Sequence, residues 1–147
     1  MQDYETTDGE YVDGEDSVHA AYPFRLTARD MARFGLLYLR NGNWCRRQII
    51  SEKWIKESTT VHSITNYKNG VGYGYLWWVS ANGKVFPNTT LKEDAFYAWG
   101  TGGHYIFVIP ELSMVIVNRV NTDVQGKRIN DDQFGELVRQ ILEARNR

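Results

Sequence analysis

The sequence holds a single cysteine, Cys45, in 147 residues, so no internal disulfide framework can be built from it. Neither a nearby histidine nor a positively charged helix start activates this thiol, and it reads as a plain free side chain. The three histidines, His19, His62 and His104, are scattered and show no ligand spacing with Cys45, so no metal is expected. Charge of one sign is also missing. The 17 basic and 18 acidic residues leave a formal net charge of −1, which gives no electrostatic case for nucleic acid or for an acidic membrane surface. No apolar run reaches the length of a membrane-spanning helix, and residues 1–10 are acidic where a signal peptide would be basic and then apolar. There is no internal repeat and no low-complexity tract. These absences leave the compartment undetermined.

What remains is an ordinary globular composition, 42% hydrophobic and 24% charged, in a chain of one domain's length that can bury a sizeable core. Aromatics reach 14%, with five Trp and nine Tyr, which suits either a dense core or a surface for a flat, amphipathic ligand. The chain is organised around residues 95–120. Residues 96–99 and 105–109 are aromatic and β-branched, residues 110–113 turn the chain, and 114–120 run back with almost no polar break. Such runs predict strands of a covered sheet. Between the first two lies Gly100-Thr101-Gly102-Gly103. A glycine cluster inside a strand implies a bulge, or a close approach of the backbone to another backbone or a substrate.

Residues 1–17 carry Asp3, Glu5, Asp8, Glu10, Asp13, Glu15 and Asp16 and no basic residue, so residues 1–23 read as an acidic arm or a loop. Thr27-Ala28-Arg29-Asp30 resembles a capping box. Met31, Phe34, Leu37 and Tyr38 then recur at helical spacing up to Arg40-Asn41-Gly42. Ser51 can cap a shorter helix to about Ser58, with Trp54 and Ile55 as its buried side. Residues 59–71 read as a loop. Residues 72–79 are apolar on both alternating faces, predicting one covered strand with Trp77 and Trp78 on opposite faces. Asn82-Gly83 predicts a two-residue hairpin turn. Phe134, Leu137, Val138, Ile141 and Leu142 mark an amphipathic C-terminal helix, capped by Asn130 or Asp131. The expected class is α+β: helices first, an antiparallel sheet of three to four strands, then a C-terminal helix across one face.

The run from Phe96 through Trp99-Gly100-Thr101-Gly102-Gly103-His104 to Pro110-Glu111 resembles the third-motif strand of the serine β-lactamase and DD-peptidase superfamily. It is nearest to the class C-like branch that includes esterases and 6-aminohexanoate-dimer hydrolases. The helix from Leu26 to Leu39 with Asn41-Gly42-Asn43-Trp44, and the stretch Tyr73-Gly74-Tyr75-Leu76-Trp77-Trp78, resemble the segments that precede that strand. The likeness covers residues 24–147 and implies the C-terminal portion of such a domain, from a bacterial-type hydrolase family that includes penicillin-binding proteins. It implies acyl-enzyme chemistry on a small-molecule amide or ester, with no cofactor. Trp99-Gly100-Thr101 would stand for the K-T-G-type triplet, without its lysine. Gly102 would supply an oxyanion N–H, and Trp99, Gly100, Thr101 and His104 would line the acyl site. A plain β-bulge in a core strand and a packed histidine are the structural alternatives.

No serine is followed three residues on by lysine, so the S-x-x-K nucleophile motif is absent. Tyr67-Lys68-Asn69 is the one Y-x-N match, and it falls where the family has no such motif. The resemblance therefore implies that the nucleophile lies outside these residues, in an upstream segment or another chain. A non-catalytic binding module on the same fold is the alternative. A half-fold that assembles with a missing N-terminal half or with itself is a third reading.

Overall fold

The computed structural model describes residues 2–13, 18–66, 71–91 and 94–145. Helix α1, Ala28–Leu39, starts where the sequence places it, with the Thr27 hydroxyl accepting from the Asp30 N–H at 3.1 Å. The Asp30 carboxylate does not reach back to its own cap. It accepts instead from the backbone N–H groups of Gln2 and Asp3, each at 3.0 Å, and from Arg33 at 2.7 Å. The acidic arm is thereby tied to the first turn of α1. Its residues pair with the segment entering that helix through isolated bridges at Gly9–Phe24 and Val12–Ala21.

Two short strands, β1 (Asn43–Trp44) and β2 (Arg47–Gln48), form a small ribbon before α2, Glu52–Ser58. Ser51 caps α2 as expected, accepting from the Trp54 N–H at 3.2 Å. Only Ile55 of the expected pair is buried. Trp54 is 46% exposed and packs against Tyr75 instead. The main sheet is antiparallel, with strands in the order β10-β9-β8-β5-β4-β3. These are β3 (Ser63–Ile64), β4 (Gly72–Tyr73), β5 (Trp78–Val79), β8 (Phe96–Gly100), β9 (His104–Ile109) and β10 (Met114–Asn118). The α+β class holds, and the sheet runs to six strands because the two-residue strands β3 and β4 extend one side.

Residues 72–79 are not one strand. The Gly74 N–H bonds the Trp77 carbonyl at 2.8 Å, and the Tyr75 N–H bonds the Ser58 carbonyl at 2.9 Å, so the chain folds back between β4 and β5. A Cβ at residue 74 would lie 2.3 Å from that Ser58 oxygen, so the turn sits against the end of α2 only because residue 74 has no side chain. Apolar residues on both faces gave no sign of this, since a covered turn and a covered strand share that pattern. Asn82-Gly83 does make a tight turn, closed by the Lys84 N–H on the Ala81 carbonyl at 3.1 Å. It leads into the ribbon of β6 (Lys84–Phe86) and β7 (Thr89–Thr90).

Helices cover both faces of the sheet. Alternation along β8 and β9 sends Phe96, Ile106 and Val108 to the α1 side, with Met31, Tyr38 and Trp77. Tyr97, Tyr105, Phe107 and Ile109 go to the other side, with Phe86 and with Phe134 and Val138 of α3, Asp131–Arg145. Trp77 and Trp78 do separate between these faces. Tyr105 stacks on Phe134 with ring centroids 4.0 Å apart and planes 5° from parallel. Burying each such side chain contributes about 1.5–3 kcal/mol. Asn130 begins α3 through a reciprocal pair with Gln133. Leu137, expected on the buried stripe, is 42% exposed. Among the described residues no helix is long and apolar enough to cross a membrane.

Candidate active site

The glycine cluster is the turn of a hairpin and not a bulge within one strand. Gly100 pairs with His104, and the Gly103 N–H closes the turn on the Gly100 carbonyl at 3.2 Å. Gly102 and Gly103 hold φ of +87° and +99°, a region in which a Cβ is strained. The close approach inferred from the glycines is made by another stretch of backbone. A Cβ on Gly103 would stand 2.5 Å from the Ile129 carbonyl oxygen. The Ile129 N–H in turn donates to Gly102, and the Asn118 side-chain amide donates to Gly103.

The hairpin forms one wall of an open groove of about 700 Å³. Ala98, Trp99, Gly100, Thr101, His104 and Ile106 border it on this side. The arm lines it through Thr7, Asp8, Gly9 and Glu10, with Phe24 just beyond the arm, and residues 119–123 complete the lining. Four of the five site residues expected from the sequence thus meet at one groove. Gly102 is not among the bordering residues; it lies one step round the turn, where a Cβ would meet the Thr122 methyl at 2.4 Å. Trp99 borders the groove although the register sets its side chain on the other face, with Tyr105; there its indole meets Trp78 edge-on at 6.4 Å.

His104 is half-buried at the start of β9. Burial, and then the positive charge of Arg119, lower its pKa from the ordinary value, so the neutral imidazole is favoured, with one nitrogen donating and one accepting. Arg119 was not singled out in the sequence, although it is the only charge closing an otherwise apolar run. The arm residues were not legible as a wall either, because their placement depends on the distant Asp30. His62 stacks on Tyr75 at 4.4 Å, far along the chain from this site. Among the described residues no cluster of His, Cys, Asp or Glu could hold a metal ion. Tyr67-Lys68-Asn69 lies outside the described residues.

No protein-family model and no curated protein sequence matches the chain. A solved structure does: a Bacillus anthracis protein described as a 6-aminohexanoate-dimer hydrolase superposes with a TM-score of 0.58 at 26% identity, over 92% of this chain. The fold matches the C-terminal part of a β-lactamase-like fold. This β-lactamase-like unit spans 33% of the neighbour's length, and the resemblance to the serine β-lactamase and DD-peptidase superfamily is borne out at that level. In the β-lactamase-like unit the groove lies beside the hairpin of β8 and β9, the stretch on which the resemblance was first drawn.

Proposed function

We propose that the chain supplies the third-motif side of a serine β-lactamase-like acyl hydrolase, which cleaves a small-molecule amide or ester through an acyl-enzyme. What carries this reading is the meeting of Trp99, Gly100, Thr101 and His104 at one groove beside the β8–β9 turn, in a fold shared with a hydrolase. The Gly102 N–H, one step round the turn from the bordering residues, would hold the oxyanion as the carbonyl carbon becomes tetrahedral. The neutral His104 would relay or orient a proton. The attacking serine comes from polypeptide outside residues 1–147, since no S-x-x-K occurs within them. The test is ester hydrolysis by the native gene product carrying Gly102→Val, assayed below its own unfolding temperature. Valine keeps the N–H, but at a φ of +87° and against the Thr122 methyl its side chain turns that N–H away from the carbonyl, which should lower kcat by about the hundredfold of a lost oxyanion donor; unchanged kcat would sink the assignment.

One observation favours a second reading, a binding module without catalysis. Tyr11 and Tyr22 of the arm and Phe24 just beyond it form an edge-to-face chain, with Tyr11 78% exposed. A saturable change in tryptophan fluorescence with a ligand that is never hydrolysed would support it.

A further inference from the structure

Asn118 of β10 pairs with Tyr105, and Gly100 of β8 pairs with His104. Extending the first ladder by one residue sets Arg119 opposite His104, so Gly100, His104 and Arg119 form a row across three strands on the α1 face. Arg119 is held in that row by its Nε–H, which donates to the Leu26 carbonyl at 2.7 Å. Its two terminal nitrogens meet no acceptor among the described residues. Of the three acids bordering the groove, Asp8 accepts from the Glu5 N–H at 2.8 Å, Asp123 faces Arg25 at 3.9 Å, and Glu10 forms no ion pair with Arg119 among the described residues. Next to Arg119 the groove is bordered by Ala98, Ile106 and Met31, which offer methylene contact and no polar competition.

We propose that Arg119 makes the groove selective for esters or amides whose acyl chain ends in a carboxylate, a specificity that rests on the acyl-hydrolase reading above. A guanidinium fixed through Nε presents a fork that matches a carboxylate's two oxygens. Strands lie about 4.8 Å apart, so the backbone of Arg119 stands about 10 Å from that of Gly100. The Nε–H bond to Leu26 holds the arginine side chain on this face of the row. A carbonyl at the turn and a carboxylate on Arg119 are then joined by about three methylenes, the length of a glutaryl chain.

The test compares hydrolysis of mono-p-nitrophenyl glutarate with that of the neutral p-nitrophenyl pentanoate by the native gene product, Arg119→Gln and Arg119→Lys. The native protein should prefer the anionic ester. Arg119→Gln should reduce the anionic-to-neutral ratio of kcat/KM about tenfold to a hundredfold, through KM. Arg119→Lys should fall between, keeping charge but losing the fork. Thermal midpoints of the variants check that the fold persists. A ratio unmoved by Arg119→Gln overturns the proposal. If the native protein hydrolyses neither ester, the acyl-hydrolase reading has failed and glutarate itself decides the role of Arg119. Saturable glutarate binding that Arg119→Gln abolishes then sustains the anion site; no glutarate binding to the native protein overturns it.

Discussion

Gly35 lies midway along α1 at the point where the helix crosses the sheet. A Cβ built there would stand 2.6 Å from Val115 Cγ1 and 2.9 Å from Ile106 Cγ2, with Val108 Cγ2 at 3.6 Å. Carbon atoms in contact sit about 3.5–4.0 Å apart, so two neighbours would each have to give by more than half an ångström. Both are β-branched, with restricted χ1, and both belong to paired strands, β9 and β10, whose backbones cannot separate without breaking the ladder. Gly35→Ala sets about 1 kcal/mol of helix propensity gained against an overpacking cost of about 1–3 kcal/mol. Two contacts below 3.0 Å place the cost in the upper part of that range, so the net effect is a destabilisation of about 1–2 kcal/mol. With a urea m-value of about 2 kcal/mol/M, the unfolding midpoint drops by roughly 0.5–1 M. Val115→Ala removes the nearest methyl, and in the Gly35→Ala background it should cost less than in the native chain, a coupling that a double-mutant cycle reads directly. A midpoint that rises in Gly35→Ala would refute the packing argument and leave propensity in control.

Two further outcomes follow from buried polar groups. Burial alone would raise the Asp30 pKa; the bonds from Gln2, Arg33 and Asp3 outweigh it and hold the carboxyl below its ordinary 3.8. Its folded value lies below its unfolded one, so its contribution is present above the unfolded pKa and is lost as pH falls through the folded value. Urea midpoints of native protein should therefore fall with acid more steeply than those of Asp30→Asn; parallel profiles would remove Asp30 from the acid response. The Tyr105 hydroxyl donates to Asp131 at 2.5 Å, and burial, then this bond, push its pKa well above that of a free phenol. Tyr105→Phe should cost about 1.5–3 kcal/mol, read from denaturant midpoints, and no measurable loss would show the bond to be energetically idle.

Local signals carried the helices. Thr27, Ser51 and Asn130 each cap where the sequence places them, because a cap is decided within three residues. Covered strands were legible as apolar runs, but their internal turns were not. The turn between β4 and β5 depends on the Ser58 carbonyl at the end of α2, and the hairpin turn at residues 101–103 is clamped by Ile129. Both are decided by a partner distant in the chain. The same holds for Trp54, which leaves the core for Tyr75. At the candidate site, Trp99, Gly100, Thr101 and His104 were legible because they adjoin one another in sequence. Arg119 and the arm were not, since each joins the groove through a neighbour elsewhere in the chain: His104 by strand register, Asp30 by backbone hydrogen bonds.

The strand order β10-β9-β8-β5-β4-β3 simply reverses the chain order, so every strand of the main sheet pairs with its predecessor in that sheet. Such a meander can zip outward from the β8–β9 hairpin with little loop entropy to overcome. Helix α1 is different: it is made early in the chain, yet it rests on β9 and β10, near the end. Until those strands have paired, its apolar side has nothing to cover it. Docking α1 closes a long loop, and the arm, bound to Asp30 at the head of that helix, arrives with it. The groove is thus complete only when the arm has joined residues 98–123.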